Sequence, residues 1–140
     1  MSNEATLVFE TFPAIPFTCS NTAGIEKGTL CKMTDPMTCA ISAAVNEVCA
    51  GITKTEKIAN DGKTKISVYR EGIFKVLASG AVLVGAAVAS GADANFPNYV
   101  KQAAVTSSGA AVIGYALETA AAGESFLIYL DVGCGGMAIS

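Results

Sequence analysis

The sequence predicts an all-β fold: a small β-sandwich or barrel with two related halves and an extended N-terminal arm. Two observations carry that expectation. The first is a spacing that occurs twice. Gly51-Ile52 is followed by the polar turn Asn60-Asp61-Gly62, the alternating run Lys65–Tyr69 and then Gly72, while Gly114-Tyr115 is followed by Ala122-Gly123-Glu124, the run Ser125–Asp131 and then Gly133. The interval from Gly62 to Gly72 equals that from Gly123 to Gly133, and the loop before it differs by two residues. The second observation is rhythm: short apolar runs alternate with turn signals along most of the chain, as in sandwiches and barrels. At 140 residues the chain is one domain by length and can bury a core without staples.

Residues 1–24 read as the arm. Thr6–Phe12 can form a strand, but Pro13 and Pro16 hold Ala14–Phe17 extended and remove ladder donors. An apolar extended segment packs back on its own domain or lies along a neighbour, so Phe9, Phe12, Ile15 and Phe17 are the candidate inter-subunit contacts. Removing residues 1–17 is expected to leave the rest folded.

Residues 25–133 read as the β-domain. Its strand candidates are Leu30–Met33, Thr38–Ile41, Val48–Thr53, Lys65–Tyr69 and Ile73–Leu77, then Ala81–Val88, Tyr99–Ala103, Ala111–Leu117 and Phe126–Val132. Turn markers separate them: Asp35-Pro36, Asn60-Asp61-Gly62, Ser79-Gly80, Ser90-Gly91, Phe96-Pro97-Asn98, Ser108-Gly109 and Ala122-Gly123. Ser42–Val48 and Glu118–Ala122 contain helix formers but allow one turn each at most. In the last strand Phe126, Ile128, Leu130 and Val132 share one face, and Leu127 and Tyr129 make the other apolar too, so both sides are expected to be covered. Residues 134–140, with Gly135, Gly136, Ala138 and Ser140 among them, read as a flexible tail.

Composition narrows the function. Hydrophobic residues make up 51% and charged residues 15%, against a usual charged share of about 25%. No charge lies between Lys75 and Asp93 or between Lys101 and Glu118. Such neutral apolar surface is expected to face another chain. A net charge of −3 argues against nucleic acid as a partner, because a phosphate backbone demands a basic face. Lys54, Lys57, Lys63, Lys65 and Arg70 do cluster, but Glu56, Asp61 and Glu71 are interleaved with them. The acidic N-terminus does not resemble a signal peptide, and Val76–Ala92 is too short and broken for a membrane span. The chain is expected to be made in a cytoplasm, with no membrane partner.

Chemistry is sparse. Without histidine the commonest general base and metal ligand is missing, so no catalytic, cofactor or metal site is expected. Cys19, Cys31, Cys39, Cys49 and Cys134 are odd in number and read as buried reduced thiols. Gly133-Cys134-Gly135-Gly136-Met137-Ala138 has the letters of a dinucleotide fingerprint but no helix follows it. Two acid pairs, Glu118 with Glu124 and Asp61 with Glu71, could support glycoside hydrolysis, but acids beside turns are ordinarily solvated.

The run from Gly114 to Ile128 (Gly-Tyr-Ala-Leu, small residues, Ala-Gly-Glu, an alternating apolar strand) resembles the closing signature of small tailed-phage capsid cement, or decoration, proteins. Ile73–Val76, Ala81–Val88 and Tyr99–Ala103 are similar to that family's preceding strands. The resemblance spans roughly Gly24 to Gly133. It implies a non-enzymatic virion protein on the capsid exterior, partnered by the major capsid protein and by copies of itself as a dimer or trimer. The chain departs from the family in its cysteines, its low charge and its Pro-containing lead-in. The alternative is a virion-surface adhesin or carbohydrate-binding β-module, which requires Tyr69, Tyr99, Tyr115 and Tyr129 to share an exposed face.

Overall fold

Eleven strands and no helix occupy the described residues of the computed structural model, 4–42, 48–91, 98–103 and 112–132. The first barrel is β2 (Ile15–Thr18), β3 (Leu30–Asp35), β4 (Thr38–Ile41), β5 (Cys49–Thr53) and β6 (Lys65–Tyr69), closed in the order β2-β4-β3-β5-β6. The second is β7 (Glu71–Ala78), β8 (Ala87–Ser90), β9 (Tyr99–Gln102), β10 (Val112–Ala116) and β11 (Ser125–Asp131), ordered β7-β11-β10-β8-β9 and closed by pairing of β7 with β9. A short β1 (Thr6–Phe9) adds to β7. The fold is therefore all-β with two related halves.

The halves match strand for strand. In each, the first strand runs antiparallel to the fifth and parallel to the third. Residues match too: Cys31 faces Gly51 as Val88 faces Gly114, and Ile52 faces Tyr69 as Tyr115 faces Tyr129. Gly51 and Gly114, at φ 139° and 157°, sit where a Cβ would strike the carbonyl oxygen of Tyr69 or Tyr129. Only glycine lets the fourth strand bend over the fifth at that point.

One tight turn recurs at four places. The antiparallel bridges Ile25–Lys57 and Val82–Ala120 each lead, from both of their members, into a turn that ends on a left-handed residue. Those residues are Gly28, Asn60, Gly85 and Gly123, and their N–H groups donate to the carbonyls of Thr53, Asn21, Ala116 and Ala78 at 3.0, 2.7, 2.8 and 2.8 Å. Asn60, not Gly62, thus takes the place of Gly123. The sequence spacing is corrected accordingly: Gly51 and Tyr69 lie 18 positions apart against 15 for Gly114 and Tyr129, a difference of three. Gly133 lies outside the described residues.

The expected arm is not set apart from the β-domain: within residues 4–24, β1 pairs with β7 of the second barrel and β2 with β6 of the first. β2 forms despite its prolines because it pairs with β6 along its length and meets β4 only at Thr18, so Pro16 sits where a donor is least needed. The expected strand Ala81–Val88 is interrupted by the second barrel's first turn and begins only at Ala87. Glu118–Ala122 is no helix, since Ala120 bridges Val82. The possible turn at 43–47, the Ser108-Gly109 marker and the 134–140 tail lie outside the described residues.

Each barrel holds its own core. The first encloses Phe17, Cys19, Ile25, Cys31, Cys39, Ala50, Ile66 and Val68. Their counterparts in the repeat are Val76, Ala78, Val82, Val88, Val100, Ile113, Phe126 and Ile128, all buried in the second. That second cluster continues across the junction to Leu30, Cys49, Ile52 and Tyr69. Polar contacts fix the junction: the Leu30 N–H donates to Asn98 Oδ1 at 2.8 Å, Asn98 Nδ2 to the Gly28 carbonyl at 3.3 Å, and Ser42 and Ser90 hydroxyls lie 2.9 Å apart.

Candidate interaction surface

The acids named above have structural work. Glu118 accepts the Leu127 N–H at 2.9 Å, and Glu124 accepts the Ala121 N–H at 2.7 Å, each holding its turn closed. Asp61 accepts the Lys63 N–H at 2.9 Å and pairs with the buried Lys57 ammonium at 2.8 Å. That ammonium also donates to the carbonyls of Asn21 and Ile58, and its bond to Asp61 lowers the carboxyl pKa. Glu71 accepts from Thr11 at 3.3 Å and from the Tyr129 hydroxyl at 2.9 Å, and the bond to Tyr129 keeps the phenol protonated to higher pH than usual.

The thiols are equally inward. Cys19, Cys31, Cys39 and Cys49 are all buried and unpaired by disulfides. Burial drives the Cys49 pKa up to about 12, and a hydrogen bond to Cys39 together with burial keeps Cys31 protonated well above the ordinary thiol range. Cys19, Cys31 and Cys39 fill positions that the second barrel gives to Ala78, Val88 and Val100. Cys134 lies outside the described residues. Among the described residues no cluster of three or more His, Cys, Asp or Glu is arranged to hold a metal ion.

The four candidate contact residues divide by depth. Phe17 is 0% exposed in the first core, so it offers nothing to another chain. It belongs to the alternation Ile15, Phe17, Cys19, whose inward face the two prolines disguise. Ile15 is half-buried and, with Phe12 and Pro13, lines a groove of about 260 Å³ whose other residues include Arg70, Glu71 and Asp131. Phe9 and Phe12 are open to solvent at 64% and 55%.

Phe9 ends a row that the sequence reading missed. Across the outer face of the second barrel the ladders set Phe9 opposite Ile73, Ile73 opposite Tyr129, Tyr129 opposite Tyr115 and Tyr115 opposite Ala87. The Tyr115 and Tyr129 rings stack at 5.5 Å and 8°. Leu117 and the turn residues Leu83 and Val84 are exposed apolar residues of the same barrel. The equivalent turn of the first barrel is made by Glu26-Lys27, so the fold does not require apolar residues at that tip. That contrast between turn chemistry and charge is the signal through which the sequence could have shown this surface. The tyrosines do not share one face, because Tyr69 is buried against Phe74 with ring centroids 5.7 Å apart.

The comparisons agree with this build. The chain is similar to the N-terminal base of the head fiber protein gp8.5 of bacteriophage phi29, with a TM-score of 0.53 and 15% identity over 91% of this chain and 98% of that one. At that identity the likeness establishes a shared fold. No curated protein sequence matches. The family model described as phage cement protein matches residues 9–130, from the end of β1 to near the end of β11. With most of its length, both barrels included, matched to that model, the chain belongs to the phage cement protein family, whose members are structural proteins associated with the phage capsid.

Proposed function

We propose that this protein sits on the outside of the phage head, binds the major capsid protein, and stabilises the assembled shell by bridging neighbouring subunits, without catalysis. The observation that carries the reading is a pair of exposed phenylalanines on a family member otherwise made of closed barrels: Phe12, which lines the groove with Pro13 and Ile15, and Phe9, which stands opposite Ile73 at the end of the outer row. Two rings with apolar neighbours and a rim of Arg70, Glu71 and Asp131 match the make-up of a protein-protein contact: aromatic anchors within a polar border. A protein that binds the assembled shell and not its separated subunits stabilises it by mass action. Repeated over symmetry-related sites, modest single contacts add to a firm brace.

The test is co-sedimentation with heads that lack the protein. Removing residues 1–17 is unsuitable, since it would take away β2 and the core residue Phe17. The double variant Phe9→Ser, Phe12→Ser keeps both. Saturable wild-type binding at a fixed ratio to the capsid subunit, weakened at least tenfold in the variant, supports the proposal. Wild-type protein that stays in the supernatant sinks the capsid role, and a variant that binds as well as wild type sinks the role of the two rings.

A further inference from the structure

The two barrels meet through unlike surfaces. The first barrel offers its outer row, Leu30 opposite Ile52 and Ile52 opposite Tyr69, which the junction leaves only 2%, 1% and 4% exposed. The second barrel offers the end of β8 and the start of β9, where Ser90 and Asn98 make the junction's hydrogen bonds. Because the halves are repeats, each barrel carries both surfaces, and one copy of each is left over.

The leftover row is Ala87, Tyr115 and Tyr129 on the second barrel, with Tyr115 at 40% exposure. The leftover end is on the first barrel. Met37 stands there as Asn98 does in the second: each lies two residues before a buried core position of the third strand, and each is left-handed, at φ 51° and 67°. Met33 matches Ser90 in the same register, and its N–H donates to the Val48 carbonyl at 2.9 Å. Met37 and Val48 are exposed at 48% and 47%. The end that is polar inside the junction is thus apolar where it is free, and methionine adapts readily to a facing surface.

We propose that a second copy of this chain docks head to tail, the Tyr115 row of one copy seated on the Met37 end of the next, repeating the contact already made inside each chain. A second copy is the occupant because both complementary surfaces lie on this one chain and their mode of contact is realised in it once. Such a contact is heterologous, so it closes into a ring or continues as a string. It holds whether or not the capsid is the protein's target.

Light scattering and sedimentation velocity on the purified full chain test it. Wild type assembles beyond the 14.2 kDa monomer. Tyr115→Glu and Met37→Asp each reduce it to monomer while circular dichroism and the melting temperature stay those of a folded chain. An equimolar mixture of the two variants restores dimers and nothing larger, because each retains one intact surface. Ala87→Glu with Val48→Asp repeats the design without disturbing the tyrosine stack or the left-handed residue. A monomeric wild type, assembly that survives the single variants, or a mixture that stays monomeric overturns the proposal.

Discussion

The first barrel carries three thiols and one buried ammonium at positions where the second carries alanine and valine. Cys19, Cys31 and Cys39 stand where Ala78, Val88 and Val100 stand, and Lys57 stands where Ala120 does. The ladders are the same. What the difference teaches is that backbone pairing and two glycines specify this barrel, while the filling needs only suitable volume and a partner for each buried charge. Lys57 satisfies that condition through the extra residues of its turn, which bring Asp61 to 2.8 Å.

The sharpest way to break the comparison is at the glycines. Gly51→Ala and Gly114→Ala each force a Cβ into a backbone carbonyl at a left-handed φ, and each should cost roughly 2–5 kcal/mol in urea unfolding. Losses of similar size in the two halves are expected; a tolerated alanine at either site would mean that the repeat is not governed there by close approach.

A smaller effect separates the barrels by pH. The Asp61 carboxyl is held below its ordinary value by Lys57, so its contribution is complete above the unfolded carboxylate pKa and is lost as pH falls through the lowered folded value. The urea midpoint of wild type should therefore drop more steeply on acidification than that of Asp61→Asn. The second barrel has no equivalent pair, because alanine occupies the matching position.

The smallest change is expected from transplanting one core into the other. Cys19→Ala, Cys31→Val and Cys39→Val should each shift stability by less than about 1.5 kcal/mol, since the second barrel already shows those side chains in those places. A loss of soluble protein on making all three would show that the thiols do more than fill space.

The twofold design was legible because two of its marks are local: the Gly51 and Gly114 approaches and the alternating runs after them. β4 and β6 were readable to the residue, Thr38–Ile41 and Lys65–Tyr69, since turn residues bound both. β2 was hidden by chemistry that ordinarily opposes strands, two prolines within four positions, while its inward face of Phe17 and Cys19 is set by partners far along the chain. The turn at Asn60 was misaligned because asparagine and glycine both accept a left-handed backbone, and the nearer glycine drew the register. The site was half legible: exposure of Phe9 and Phe12 followed from their place near the terminus. The Tyr115 row depends on cross-strand neighbours in five strands, which no linear spacing displays.

β1 has a consequence for the order in which the molecule is made. It is translated before either barrel, yet its partner β7 lies some seventy positions later, with Thr6 opposite Lys75. The first barrel's strands emerge from the ribosome in between and can close without it, so β1 waits and then clasps a barrel that does not yet exist when it is synthesised. The strand thereby marks completion: a nascent chain cut short before β7 has every strand of the first barrel and a β1 that lacks its pairing partner.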